Sequence, residues 1–194
     1  IVRDAFDRAR HARTPQLLTL VGVPGIGKSR LVYELSRIVD ADEELITWRQ
    51  GRCLAYGDGV TMWALAEIVK AQAGIVEQDA AGDVAGKLRR AAADAVPETD
   101  VVWVESHLLA LAGLAEETEL GGNRRNEAFS AWRRFLEGLA DQRPLVLAQQ
   151  VGEGLAGQDR DGRVVLGGAV AQGGTRGAAA VAVRAEMWAH LGLV

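Results

Sequence analysis

The sequence predicts an α/β fold with a central parallel sheet flanked by helices, incomplete on its C-terminal side. Three observations predict it. A short apolar run, a Gly-rich loop and an amphipathic helix follow one another over residues 17–39. Further runs that read as strands begin at Ile46 and Leu145, and short apolar runs fit strands buried on both faces. Helical periodicity fills most of the space between them. The sheet reads as incomplete because the chain turns Gly- and Ala-rich after Ala148.

Residues 1–13, IVRDAFDRARHAR, read as a helix with Val2, Phe6 and Ala9 on one face, ended by Pro15. LLTLV, residues 17–21, reads as the first strand. SRLVYELSRIV, residues 29–39, follows the Gly-rich loop as a helix with Leu31, Leu35 and Ile38 on its inner stripe. ITWRQGRC, residues 46–53, is the second strand, and YGDG at 56–59 is turn chemistry. A helix over 61–73 carries Met62, Leu65, Ala66 and Val69 in register. Another over 84–96 turns Val84, Leu88, Ala91 and Ala95 inward. A third over 101–111 is capped by Asp100.

GGN at 121–123 breaks the chain before the clearest helix, 124–141. Its apolar face comprises Ala128, Phe129, Trp132, Phe135, Leu136, Leu139 and Ala140. Pro144 stops it, and LVLA forms a third strand ending at Ala148. The next 36 residues, from Gln149 to Arg184, contain no Lys, Ile, Pro or aromatic residue. A short strand at 164–166 and a helix at 178–191 are the elements expected there. The domain expectation is therefore residues 1–147 as one partial α/β domain and 148–194 as a Gly/Ala-rich tail of uncertain structure.

Composition narrows the function. The chain has 194 residues, 48% hydrophobic and 25% charged, with a net charge of −4. That balance argues against a nucleic-acid surface, which shows a basic face. No apolar run approaches the roughly 20 residues that span a bilayer. The single cysteine, Cys53, allows no internal disulfide and fits a reducing cytoplasm. Cys53 itself reads as a buried small hydrophobe. The three histidines are too scattered for a metal site, and the five tryptophans read as packing residues. The chain begins at Ile1, which reads as a fragment or a processed product.

GVPGIGKS, residues 22–29, fits the phosphate-loop pattern G-x-x-x-x-G-K-[ST], the Walker A motif. Gly22, Gly25 and Gly27 let the backbone turn where a Cβ would clash. The N–H groups across Gly22, Val23, Pro24, Gly25, Ile26 and Gly27 would converge as an anion nest, with Pro24 giving up one of them. The next helix adds the positive end of its dipole. Lys28 reaches the β- and γ-phosphates, Ser29 is the Mg²⁺ ligand, and the Arg30 N–H helps to hold phosphate. The Arg30 side chain is expected to be exposed. Hydrolysis needs in addition a strand-end acid and a group that orients water. After LVLA come Gln149, Gln150, Val151, Gly152 and Glu153, so no acid follows the apolar run directly. Glu153 could serve only if the strand ran on. Catalytic residues are left unassigned. Arg124 and Arg125 read as a solvated helix start rather than as an arginine finger.

Four stretches carry a family resemblance: LLTLVGVPGIGKSRLVYEL, WRQGRCLAYGDGVTMWALAEIVKAQAGI, AAGDVAGKLRRA and GGNRRNEAFSAWRRFLEGLADQRPLVL. Together they resemble the ATP-binding AAA-type, STAND-like region of large bacterial signalling proteins. These include class III cyclase-linked proteins and LuxR-type regulators. The match ends near residue 147. The resemblance implies a P-loop NTPase fold, ATP with Mg²⁺, and a regulatory role in signal transduction or transcription regulation. It implies other domains as partners, namely a cyclase or DNA-binding output and helical repeats. The acidic balance and the lack of a long apolar run lead to the expectation that this segment itself binds no nucleic acid and no membrane. The family continues after its third strand with an acidic pair, the Walker B motif, where Gln149-Gln150-Val151 stands here. A truncated gene or an out-of-frame tail would explain the difference. The reading is thus an ATP-binding regulatory module deficient in hydrolysis. The alternatives are an active P-loop ATPase, a small-molecule kinase, a DNA-loading ATPase or a non-functional remnant.

Overall fold

The computed structural model describes residues 2–12, 16, 18–22, 25–53, 63–114, 122–151 and 164–168. The order is α1 (Val2–Ala12), β1 (Leu18–Gly22), α2 (Lys28–Asp40), β2 (Thr47–Cys53), α3 (Trp63–Ala73), α4 (Ala81–Ala95), α5 (Glu98–Leu111), α6 (Gly122–Gln142), β3 (Leu145–Val151) and β4 (Val164–Gly168). The turn expected at 56–59, Met62 and the tail helix expected at 178–191 lie outside the described residues.

β3 is the organising strand. Leu145 and Leu147 enter a large core with α3, α4, α5 and α6. Val146 enters a second cluster with Phe6, Leu35 and Val39, and Ala148 a third with Val32. Alternate residues of a strand face opposite sides, so LVLA must be apolar throughout because both of its sides are covered. All four residues are at most 3% exposed.

The expected parallel sheet is present in part. β2 runs parallel to β3, from Thr47 opposite Leu145 to Cys53 opposite Val151. β1 instead pairs antiparallel with β4, from Leu18 opposite Gly168 to Gly22 opposite Val164. β4 also lies against β3, without a ladder between them. Among the described residues the structure is therefore mostly helical, with one parallel and one antiparallel strand pair.

α6 supplies the largest apolar face. Phe129, Trp132, Phe135, Leu136 and Leu139 are buried along it, together with Ala128, Ala131 and Ala140. The Trp132 ring meets Phe129 edge-on at 5.4 Å, and its Nε1–H donates to the His107 carbonyl at 3.1 Å. The bond satisfies the indole's polar atom inside the core. Gly51 at the centre of β2 lets α3 come close, because a Cβ there would overlap the Ala64 backbone carbonyl.

Three local expectations are corrected. The inner stripe of α2 is Val32, Leu35 and Val39, while Leu31 is 49% exposed and Ile38 only half-buried. Asp100 is not a cap: α5 begins at Glu98 behind Pro97, with no side-chain cap bond. Asp100 sits in the first turn and accepts from Arg134 Nε at 3.0 Å. A carboxylate there also meets the positive end of the helix. Finally, β3 does not end at Ala148 but continues through Gln149 and Gln150 to Val151. The expected strand at 164–166 is present and reaches Gly168.

Candidate functional site

The Gly-rich loop leaves β1 at Gly22 and enters α2 at Lys28. Gly25 has φ 80° and Gly27 has φ 99°, both in the left-handed region. No neighbouring atom lies within 4 Å of where either Cβ would be. The demand for glycine at these two positions is thus set by backbone conformation rather than by space.

Gly27 is the N-cap of α2, and no side chain caps the helix. The first helical hydrogen bond runs from the Leu31 N–H to the Gly27 carbonyl at 3.0 Å. The N–H groups of Ser29 and Arg30 come before that bond, in the turn whose donors have no partner within the helix. The first turn carries no acidic residue, so no carboxylate of its own offsets the positive end of the dipole. Ser29 is exposed and Lys28 half-buried. Ile26 stands 66% exposed at the loop. The Arg30 side chain is 82% exposed, with Nε 3.7 Å from Glu34 one turn along the helix. Val23 and Pro24 lie outside the described residues.

The strands bring a second feature to the same edge. Leu18 packs in the Val146 cluster and Leu20 in the Ala148 cluster. β1 and β3 therefore advance in the same direction, with β4 in contact with both. β3 contains no Asp or Glu along Leu145–Val151. Glu153 is two residues beyond its end, outside the described residues. Among the described residues no group of three His, Cys, Asp or Glu side chains is placed to hold a metal ion. The expectations for Cys53 and for Arg124 and Arg125 concern side chains outside the described set.

Residues 1–149 of the chain match the family model of the AAA ATPase domain. The chain belongs to the AAA ATPase domain family. No curated protein and no solved structure matches it. Membership makes this a nucleotide-binding type of module, and the family's ATP and Mg²⁺ are the ligands to test against the site. The loop fits an anion, given two left-handed glycines, a first helical turn without carboxylates and an uncapped N-terminus. Ser29 fits a magnesium ligand by its exposure and chemistry. β3 offers no acid to accompany it. Among the described residues of this AAA domain, no helix is long and apolar enough to cross a membrane.

Two features escaped the sequence reading. Arg49 of β2 is half-buried; its Nε has no hydrogen-bond partner, and one Nη donates to the Trp48 carbonyl at 2.8 Å. Burial lowers its pKa from the ordinary guanidinium value. The only signal was a charge inside a strand that pairs with buried β3. A cleft of about 350 Å³ also opens between α1 and α2, lined by Arg3, Glu34, Arg37, Ile38, Ala41 and Asp42. Its lining carries two arginines and two carboxylates, and Arg37 lies 3.8 Å from Glu34.

Proposed function

We propose that this AAA domain holds the phosphates of ATP on residues 22–30, with Mg²⁺ on Ser29, as the ATP-binding regulatory module of a bacterial signalling protein. The phosphate oxygens lie on the backbone N–H groups of the loop and of Ser29 and Arg30. The Lys28 ammonium meets the β- and γ-oxygens. Charge-assisted bonds of this kind are about twice as strong as neutral ones. The observation that carries the reading is the pair of left-handed glycines, Gly25 and Gly27, at the entry of a helix with no carboxylate in its first turn. The regulatory context comes from the resemblance of residues 2–147 to cyclase-linked and LuxR-type signalling proteins. The other domains of such a protein are its partners.

On this reading the module binds ATP and hydrolyses it poorly. A strand-end acid would neutralise and orient the Mg²⁺, and β3 ends in Gln149, Gln150 and Val151. A neutral amide can bond a metal-bound water but adds no negative charge. A second reading, an active ATPase using Glu153, is favoured by one observation: β3 runs to Val151, three residues past Ala148.

Thermal melting tests the binding reading. A ligand in hundredfold excess over its dissociation constant stabilises the folded state by about 2.7 kcal/mol, a rise of roughly 5–10 °C for a chain of this size. ATP with Mg²⁺ should raise the melting temperature by that order, and Lys28→Ala should remove most of the rise. No shift at millimolar ATP in the unsubstituted chain would reject the reading.

A further inference from the structure

β1, which leads into the Gly-rich loop, is held by a strand from the far side of the chain's composition change. All five residues of β1 are paired with β4, and the last pair joins Gly22 to Val164. Among the described residues β4 is the only strand with a ladder to β1. We infer that β4 is a brace on the phosphate loop, so that pairing of Leu18–Gly22 with Val164–Gly168 and phosphate binding at residues 22–30 stabilise each other. The inference rests on the phosphate-binding reading above.

The physical argument starts from the backbone. A strand that lies against a core must pair its N–H and C=O groups, because an unpaired buried group costs roughly 1–3 kcal/mol. β1 meets that demand through β4. If β4 lets go, β1 loses the ladder that runs up to Gly22, and the loop starts from a free end. Ordering each residue again costs about 1–2 kcal/mol of entropy, which would be taken from the binding energy of the phosphates. The brace is itself weak. Its sequence, VVLGG, ends in two glycines, which lose the most backbone entropy on ordering and add no side chain to the sheet. A weakly held strand sits at the low end of local stability, where a bound ligand can shift it. Coupling between two sites is reciprocal, so the ligand should tighten the strand as much as the strand tightens the ligand. No residue of β4 needs to touch the nucleotide.

Two single variants of the full chain, Val165→Pro and Leu166→Pro, test this. Successive N–H groups of a strand point to opposite edges, so one of the two prolines removes a bond to β1 and the other removes an N–H on the far edge. Both impose the same ring constraint, so their difference isolates the ladder. Without nucleotide, amide exchange across Leu18–Gly22 should rise about tenfold, equivalent to about 1.4 kcal/mol, in one variant and clearly less in the other. The variant with faster exchange should also lose affinity for ATP with Mg²⁺ by a similar factor. Unchanged exchange in both variants overturns the brace. Faster exchange with unchanged ATP affinity overturns the coupling. If a proline prevents folding, the unsubstituted chain supplies the reciprocal arm, in which ATP with Mg²⁺ should slow exchange of Val164–Gly168. Slowing at residues 25–30 alone overturns the coupling. A chain that binds no ATP at all rejects the phosphate reading, and the exchange arm still decides the brace.

Discussion

Gly138 of α6 rests directly on the carbonyl of Ala95 at the end of α4, so close that a Cβ would overlap the oxygen. One turn on, Gln142 donates to the Asp94 carbonyl, fixing the same crossing from a second side. The α4–α6 contact is thus set by a missing side chain. Gly138→Ala should cost about 1–3 kcal/mol, the usual penalty of overpacking a core that cannot relax. Gly86 in α4 is the control, because its Cβ would meet only the far end of the flexible Arg90 side chain at 3.6 Å. Gly86→Ala should stabilise the protein by roughly 0.5–1 kcal/mol through helix propensity. Denaturant unfolding of the two variants should therefore move in opposite directions. A neutral Gly138→Ala would show that the crossing is looser than described.

A second prediction concerns acid. Asp79 Oδ2 accepts from Lys87 Nζ at 2.6 Å and from the Val76 N–H at 2.8 Å, and Lys87 Nζ also reaches the Gly74 carbonyl at 2.9 Å. The Lys87 bond first, and the Val76 N–H second, hold the Asp79 carboxyl below the ordinary carboxylate range. A carboxyl depressed in the folded state stabilises it above the unfolded pKa of about 3.9, and that contribution is lost as pH falls through the folded value. The stability difference between the parent chain and Asp79→Asn should be constant near neutrality and shrink only below about pH 4. A difference that fades already between pH 7 and 5 would contradict the Lys87 contact.

Hydrolysis gives a third. Position 150 shares the strand parity of Val146 and Ala148, which lie on the α2 side of β3. Position 149 has the parity of Leu145 and Leu147, on the side of α3 to α6. Gln150→Asp should therefore restore phosphate release in a single-turnover assay, and Gln149→Asp should not. On the proposed reading a strand-end acid is worth several powers of ten in rate, at about 1.4 kcal/mol of barrier each. Steady turnover by the unsubstituted chain, abolished by Lys28→Ala, would mean that Glu153 or another acid fills the role.

Much of this was legible in the sequence. The α6 face was read correctly because its wide apolar stripe admits one inward direction. LVLA was legible as buried because a strand covered on both faces needs every residue apolar. α2 was misread for a physical reason. Leu31-Leu35-Ile38 and Val32-Leu35-Val39 both satisfy helical spacing and share Leu35, and only packing on Phe6, Val146 and Ala148 selects the second. The extension of β3 through two glutamines was hidden because its pairing partner, β2, supplies the order that their own propensity does not. The β1–β4 pairing was hidden because strand partners far apart in sequence leave no local signal. The loop glycines were legible because a left-handed backbone must be written as glycine.

The most direct measurement is equilibrium binding of ATP with Mg²⁺ by titration calorimetry, on the full chain and on two variants. Lys28→Ala removes the charge that meets the phosphates. Gly27→Ala leaves charge and space unchanged but forces a Cβ onto φ 99°, costing about 1–2 kcal/mol. Loss of a charge-assisted bond costs about 1.5–3 kcal/mol, or roughly 10- to 150-fold in affinity. The account predicts saturable one-to-one binding by the parent chain, weakened by about that factor in Lys28→Ala and by about tenfold in Gly27→Ala. Binding of equal strength in all three proteins, or none in the parent at millimolar ATP, would contradict it.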